Sequence, residues 1–191
     1  MRMTAPALLA ATLALSATAA SAHIQVFQGS FAAEAQGATG TGTLRLEYDE
    51  DGHTLLINAT WAGLSGMTTN AHIHCCTASP NAGTAGVALA ENSRLPGFEN
   101  GLTAGTYTRL IDLTLASQYS GGFVTASGGT AAAAEARLIS NLTSGNAYFN
   151  IHTTTFGGGE IRAFVTAVPE PETYALMAVG LGLLALRRRR G

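Results

Sequence analysis

Three of the five histidines lie in two short segments that have the residue pattern of β-strands. His72 and His74 stand two positions apart in residues 70–76, and His152 lies in residues 150–153. Because alternate side chains of a strand point to the same side, His72 and His74 share a face, with Cα atoms about 6.7 Å apart. That spacing lets two imidazoles bind one ion, with His152 as a third ligand from a neighbouring strand. A ligand set of imidazole nitrogens alone favours copper or zinc.

The same histidines have a second interpretation that involves no metal. Their rings could hydrogen-bond within a polar cluster and hold the two strands together. Both interpretations of His72, His74 and His152 stay open, so the cofactor is undetermined, with copper or zinc as the candidates.

Cys75 and Cys76 are the only two cysteines, and they are adjacent in the chain. In an oxidising compartment they can pair within the chain only with each other. On a regular strand neighbouring side chains point to opposite faces, which opposes such a bond, although a turn at this point would permit it. The alternatives are two free thiols, intermolecular links or binding of a soft metal.

No sequence motif assigns a catalytic residue. The chain contains no nucleophile elbow, phosphate-binding loop, dinucleotide fingerprint or zinc-protease helix, so the sequence favours a protein without enzymatic activity but leaves the question open. Residues 22–168 contain five arginines and ten acidic residues, and the chain has no lysine. This acidic body excludes nucleic acid as a partner, because phosphate binding requires clustered basic side chains.

Alternating polarity with a period of two dominates the middle of the chain and predicts β-strands. Leu44, Leu46 and Tyr48 alternate with polar residues, and after the turn at residues 49–52 the alternation resumes over residues 55–61 as a hairpin. The other strand candidates are residues 23–27, 70–76, 86–90, 106–115, 147–153 and 160–166. The predicted fold is all-β, an antiparallel β-sandwich or barrel of seven or more strands.

One stretch departs from this period. Residues 130–141 are rich in alanine, and Thr130 can cap the start of a helix while Gly145 lies just past its end. Leu138 and Leu142 stand four positions apart and give the segment an apolar face. The pattern predicts one short helix that packs on the sheet.

The first 22 residues have the pattern of a secretory signal peptide. Arg2 precedes an apolar run over residues 5–20, and Ala20, Ser21 and Ala22 form a small-residue cleavage site. The sequence therefore predicts export.

The C-terminal segment, residues 168–191, has three parts. Pro169, Glu170 and Pro171 form a stiff charged spacer, residues 174–186 are wholly apolar, and four arginines follow. These are Arg187, Arg188, Arg189 and Arg190. A helix of this apolar length covers about 20 Å, short of the ~30 Å hydrocarbon core, although flanking arginines can snorkel. The pattern predicts a hydrophobic helix that transiently anchors the chain in the inner membrane, with the body outside.

This three-part tail resembles the PEP-CTERM sorting signal of bacterial exported proteins. The resemblance implies recognition by an exosortase, cleavage near Pro169-Glu170-Pro171, and delivery to the cell surface or the extracellular matrix.

Two further motifs resemble the CHRD domain. Ala71-His72-Ile73-His74 with the glycine-rich loop after it resembles the first motif. Residues 148–153 and 158–162 resemble the second. The resemblance spans residues 31–165, implies a β-sandwich module in an extracellular setting, and implies no established reaction. The sequence departs from the family at Cys75-Cys76, where a Gly-Pro type of turn is commoner.

These observations divide the chain into a signal peptide (residues 1–22), a CHRD-like β domain (23–167) and a sorting segment (168–191). They predict an exported surface or matrix module with a binding or structural role, whose partners are the exosortase machinery and a matrix polysaccharide or protein. The alternative is a copper or zinc metalloprotein centred on the three histidines, with oxidoreductase chemistry as one candidate activity.

Overall fold

A computed structural model describes residues 23–169 of the chain. In this part the chain forms nine β-strands, one 3-10 helix and two α-helices. The strands are β1 (Ile24–Ala33), β2 (Thr41–Asp49), β3 (Thr54–Ala62), β4 (Thr68–Cys75), β5 (Val87–Leu89), β6 (Gly105–Asp112), β7 (Ala147–Thr153), β8 (Ile161–Phe164) and β9 (Thr166–Val168). The 3-10 helix is Ala116–Gln118, and the α-helices are α1 (Gly121–Ala126) and α2 (Ala131–Thr143).

The strands form one antiparallel sheet in the order β5-β4-β7-β8-β1-β2-β3-β6, and β9 also pairs with β1. The sheet curls so that its two halves face each other across one core. The ring centroids of Tyr107 in β6 and Phe149 in β7 are 6.4 Å apart, although these two strands belong to opposite halves of the sheet. The predicted all-β antiparallel fold is confirmed.

The predicted hairpin is the pair β2 and β3. Leu46 stands opposite Ile57 and Tyr48 opposite Leu55, and all four side chains are buried. Alternate side chains along both strands face the core because the strand period is two. The alternating apolar residues that predicted the hairpin are therefore the residues whose side chains are buried.

The predicted helix is α2, and it extends two residues beyond the expected end. The Thr130 side chain accepts a hydrogen bond from the Ala133 amide at 3.2 Å and caps the helix. Leu138 and Leu142 are buried against the core, as their spacing predicts. The structure adds the short helix α1, capped by Ser120, which the sequence analysis did not predict.

The predicted signal peptide and the sorting segment beyond Pro169 lie outside the described residues. Within residues 23–169 no helix is both long enough and apolar enough to cross a membrane. The membrane anchor and the division into residues 1–22, 23–167 and 168–191 stay predictions.

Candidate metal site

The structure brings together the three histidines that the sequence analysis singled out. His72 and His74 project from β4 and His152 projects from the neighbouring strand β7, on the face opposite the buried Ile73 and Ile151. The ring centroid of His72 lies 4.9 Å from that of His152 and 5.5 Å from that of His74. One ligand nitrogen from each ring lies within 4.8 Å of the other two. We call these three residues the histidine cluster.

Each ring of the histidine cluster uses one nitrogen to bond to a backbone carbonyl of a covering loop. The pairs are His72 Nε2 with Ser93 O at 2.7 Å, His74 Nδ1 with Ala85 O at 2.9 Å, and His152 Nδ1 with Gly157 O at 2.9 Å. A carbonyl oxygen only accepts hydrogen bonds, so each of these nitrogens carries the proton. In a neutral imidazole the second nitrogen then holds a lone pair, and this arrangement is typical of histidines that bind a metal.

The remaining nitrogens converge. His72 Nδ1 lies 3.1 Å from His152 Nε2, although both atoms are acceptors when the rings are neutral. Either a proton or a cation must lie between them. Bonds of 2.0–2.1 Å to a tetrahedral zinc ion place two nitrogens about 3.3 Å apart, so small shifts of the rings would accommodate an ion.

The electrostatics of the histidine cluster favour neutral rings. The pKa of His72 is lowered to about 4, chiefly by burial; the neighbouring His152 and His74 add to the lowering, and the hydrogen bond to Ser93 O opposes it. Burial also lowers the pKa of His74. Near neutral pH these two rings therefore present lone pairs rather than positive charge, as metal ligation requires.

The loop that carries Ser93 is held in place over His72. Asn92 and Ser93 both adopt positive φ angles, 47° and 75°, which cost about 1–3 kcal/mol each in non-glycine residues. Asn70 Nδ2 donates to the same Ser93 carbonyl at 2.7 Å. The carbonyl that orients His72 is thus fixed by a second side chain of β4.

Two protein-family models match the chain. The family model of the CHRD domain matches residues 15–165, and the model of the PEP-CTERM protein-sorting motif matches residues 167–190. The chain belongs to the CHRD domain family. Both resemblances predicted from the sequence are confirmed. No curated protein and no solved structure matches the chain significantly.

The sorting motif gives the CHRD domain its destination. It indicates that the protein is exported, is directed to the cell surface and is recognised by exosortase sorting machinery. This agrees with the predicted export. The sorting motif does not indicate what the CHRD domain binds, so that question depends on the geometry of the histidine cluster.

Cys75 and Cys76 of the CHRD domain form a disulfide with each other. Cys75 is the last residue of β4, so the chain leaves the regular strand at the point where a turn would permit this bond. The Cys75 side chain is buried in the core, on the face away from the histidine cluster. The two cysteines therefore do not take part in the candidate metal site.

Asn150 is a member of the site to which the sequence analysis gave no role. Its side chain is 1% exposed, and its Oδ1 lies 3.1 Å from His74 Nε2. Its Nδ2 donates to Glu34 Oε2 at 3.3 Å. The available signal was its position two residues before His152, which places both side chains on one strand face.

Proposed function

We propose that this exported CHRD protein binds one copper or zinc ion at the cell surface through His72, His74 and His152. The observation that supports the proposal is the convergence of three imidazole nitrogens whose partner nitrogens are all bonded to backbone carbonyls. Copper is the tighter-binding ion of the two by the general order of divalent affinities.

The chain's own residues account for how an ion would be held. The carbonyls of Ser93, Ala85 and Gly157 fix the tautomer and the orientation of each ring. The strand pairing of β4 with β7 fixes the spacing between the rings. The ligands are therefore preorganised, and little conformational entropy is lost when an ion binds.

The test is a calorimetric titration of the metal-free protein with Cu(II) and with Zn(II). We expect one ion per chain, and we expect His72→Ala to lower the affinity at least tenfold, since loss of a supporting contact alone costs about 10–100-fold. His53→Gln is the matched control, because it removes an imidazole that is 53% exposed and lies outside the histidine cluster. Binding that is absent, or that His72→Ala leaves unchanged, overturns the proposal.

A second candidate function needs no metal. The 3.1 Å between His72 Nδ1 and His152 Nε2 also fits a proton shared between the two rings, which would link β4 to β7. The CHRD domain would then act as a binding or structural module toward a matrix polysaccharide or protein. Elemental analysis of the protein purified from its own periplasm distinguishes the two, because a metal-free protein with an intact fold favours this second candidate.

A further inference from the structure

Asn150 lies at the centre of the face that carries the histidine cluster. It stands directly opposite His72 in the pairing of β4 with β7, and it is two residues before His152. On its other side it pairs with Arg162 of β8. A side chain that is 1% exposed and reaches His74 Nε2 at 3.1 Å points into the site rather than to solvent.

The hydrogen bonds fix which end of the Asn150 amide faces the histidines. The Glu34 carboxylate only accepts, so the amide nitrogen of Asn150 must face it, and the two atoms lie 3.3 Å apart. The amide oxygen is then left facing His74 Nε2. Because His74 Nδ1 gives its proton to Ala85 O, Nε2 of the neutral ring is also an acceptor. Two acceptors face each other at 3.1 Å, and a cation would satisfy both.

Glu34 is itself held in position. Its side chain is 12% exposed, and its Oε1 lies 3.6 Å from Arg162 Nη1. The backbone of Gly159, with φ of 120°, passes so close that a Cβ there would overlap the Glu34 carboxylate and lie 2.9 Å from Asn150 Nδ2. Only glycine leaves room for the Glu34–Asn150 pair at this position.

We infer that Asn150 Oδ1 is a fourth ligand of the ion held by His72, His74 and His152, and that Glu34 is the positioning residue that orients it. The inference rests on the proposed function. It gives three nitrogen donors and one oxygen donor, with a carboxylate one hydrogen bond away. An oxygen donor backed by negative charge favours a divalent ion, Cu(II) or Zn(II), over Cu(I), which prefers softer ligands.

Two variants of the full chain test this assignment by titration with Cu(II), Zn(II) and Cu(I). Asn150→Ala removes the oxygen ligand. Glu34→Gln keeps the size of the side chain but allows its amide to donate to Asn150 Oδ1, which turns the Asn150 amide nitrogen toward His74. We expect both variants to lose about 10–100-fold in affinity for the divalent ions, and less than about threefold for Cu(I). Electron paramagnetic resonance of the Cu(II) forms should show an altered ligand set in both.

The controls are Asn58→Ala and Glu47→Gln, which remove an amide and a carboxylate whose partners are Thr108 and Arg45, away from the site. Circular dichroism establishes that each variant is folded. If Asn150→Ala is not folded, the Cu(II) spectrum of Glu34→Gln decides the question, because loss of the Glu34 charge weakens binding without removing a ligand, whereas loss of Asn150 Oδ1 changes the ligand set. If the folded variants bind the divalent ions with the affinity and the spectrum of the wild type, Asn150 is not a ligand. The proposed site of three histidines is then unaffected. A lower affinity in Glu34→Gln, while folded Asn150→Ala binds like the wild type, also overturns the fourth ligand. Glu34 would then act on the ion through its charge and not by orienting Asn150. An absence of binding in the wild type overturns the proposed function itself.

Discussion

Glu160 is a fully buried carboxylate that lies between β7 and β8. Burial alone would raise its pKa, but hydrogen bonds from Thr153 Oγ1 at 2.6 Å and from the amides of Ser65 and Gly66 outweigh burial and lower the pKa. The charged form is therefore the one that the fold stabilises. It anchors the loop between β3 and β4, which leads directly into the strand of His72 and His74.

Replacing Glu160 by Gln is expected to lower the free energy of unfolding by about 2 kcal/mol at pH 7, because a neutral amide matches the backbone donors poorly. The pKa of Glu160 is lower in the folded than in the unfolded chain, so its contribution is present above the unfolded pKa and is lost as the pH falls through the folded pKa. Urea unfolding between pH 7 and pH 3 measures both effects.

The matched control is Glu47→Gln, since Glu47 forms only a partly exposed pair with Arg45. Such a pair contributes about 0–1 kcal/mol. A Glu160→Gln variant as stable as this control at pH 7 would contradict the role of Glu160 as an anchor.

Helix α2 is attached to the sheet by a polar contact as well as by its leucines. Glu135 of α2 is buried, and its Oε1 accepts from Tyr48 Oη at 2.7 Å and lies 2.9 Å from His53 Nδ1. The hydrogen bond and the charge of Glu135 raise the pKa of His53, with Asp112 of β6 and Asp49 of β2 adding to the effect. The protonated imidazole thus links the turn between β2 and β3 to the helix.

This link predicts a pH dependence of stability. Because the pKa of His53 is higher in the folded chain than its ordinary value of 6.5, its contribution is complete below that value and is lost as the pH rises through the folded pKa. We expect the midpoint of thermal unfolding to fall over this range in the wild type, and the fall to be absent in His53→Gln. A pH profile of the variant that superimposes on that of the wild type would show that the contact does not stabilise the fold.

The elements that the sequence predicted well are those whose local pattern agrees with their burial. The hairpin of β2 and β3 alternates throughout, and α2 has both a cap and an apolar face. Helix α1 could not be predicted, because it has six residues and begins with Gly121 and Gly122, which are poor helix formers. The predicted strand at residues 160–166 is two strands, because β8 pairs with both β7 and β1, the pairing with β7 ends at Phe164, and β9 pairs with β1 alone.

The candidate site was predictable only in part, because its histidines lie on strands with a regular pattern whereas the groups that orient them lie in loops. Strand periodicity places His72 and His74 on one face, and the likeness of the two histidine strands suggests that they are neighbours. The carbonyls of Ser93, Ala85 and Gly157 come from loops, and any residue type supplies a carbonyl. Nothing in the sequence of those loops therefore signals that they orient the rings.

On the scale of the whole molecule, the folded domain meets the sorting segment at β9. Val168, the last residue of β9, is paired with Val26 of β1, while the match to the sorting motif already begins at residue 167. Pro169 follows directly, and proline cannot donate to a strand ladder, so pairing ends there. Cleavage at or beyond Pro169 would therefore leave every strand of the domain intact.

Replacing Pro169, Glu170 and Pro171 by alanine is expected to block processing while leaving the fold unchanged, because these residues follow β9, the last strand within residues 23–169. In cells that contain an exosortase, the intact mass of the variant should retain the C-terminal segment and the wild type should lose it. Equal thermal midpoints of the two purified proteins are the control for folding. Loss of the segment from both proteins at the same position would show that the processing enzyme does not read these three residues, and that recognition lies in the apolar run and Arg187–Arg190.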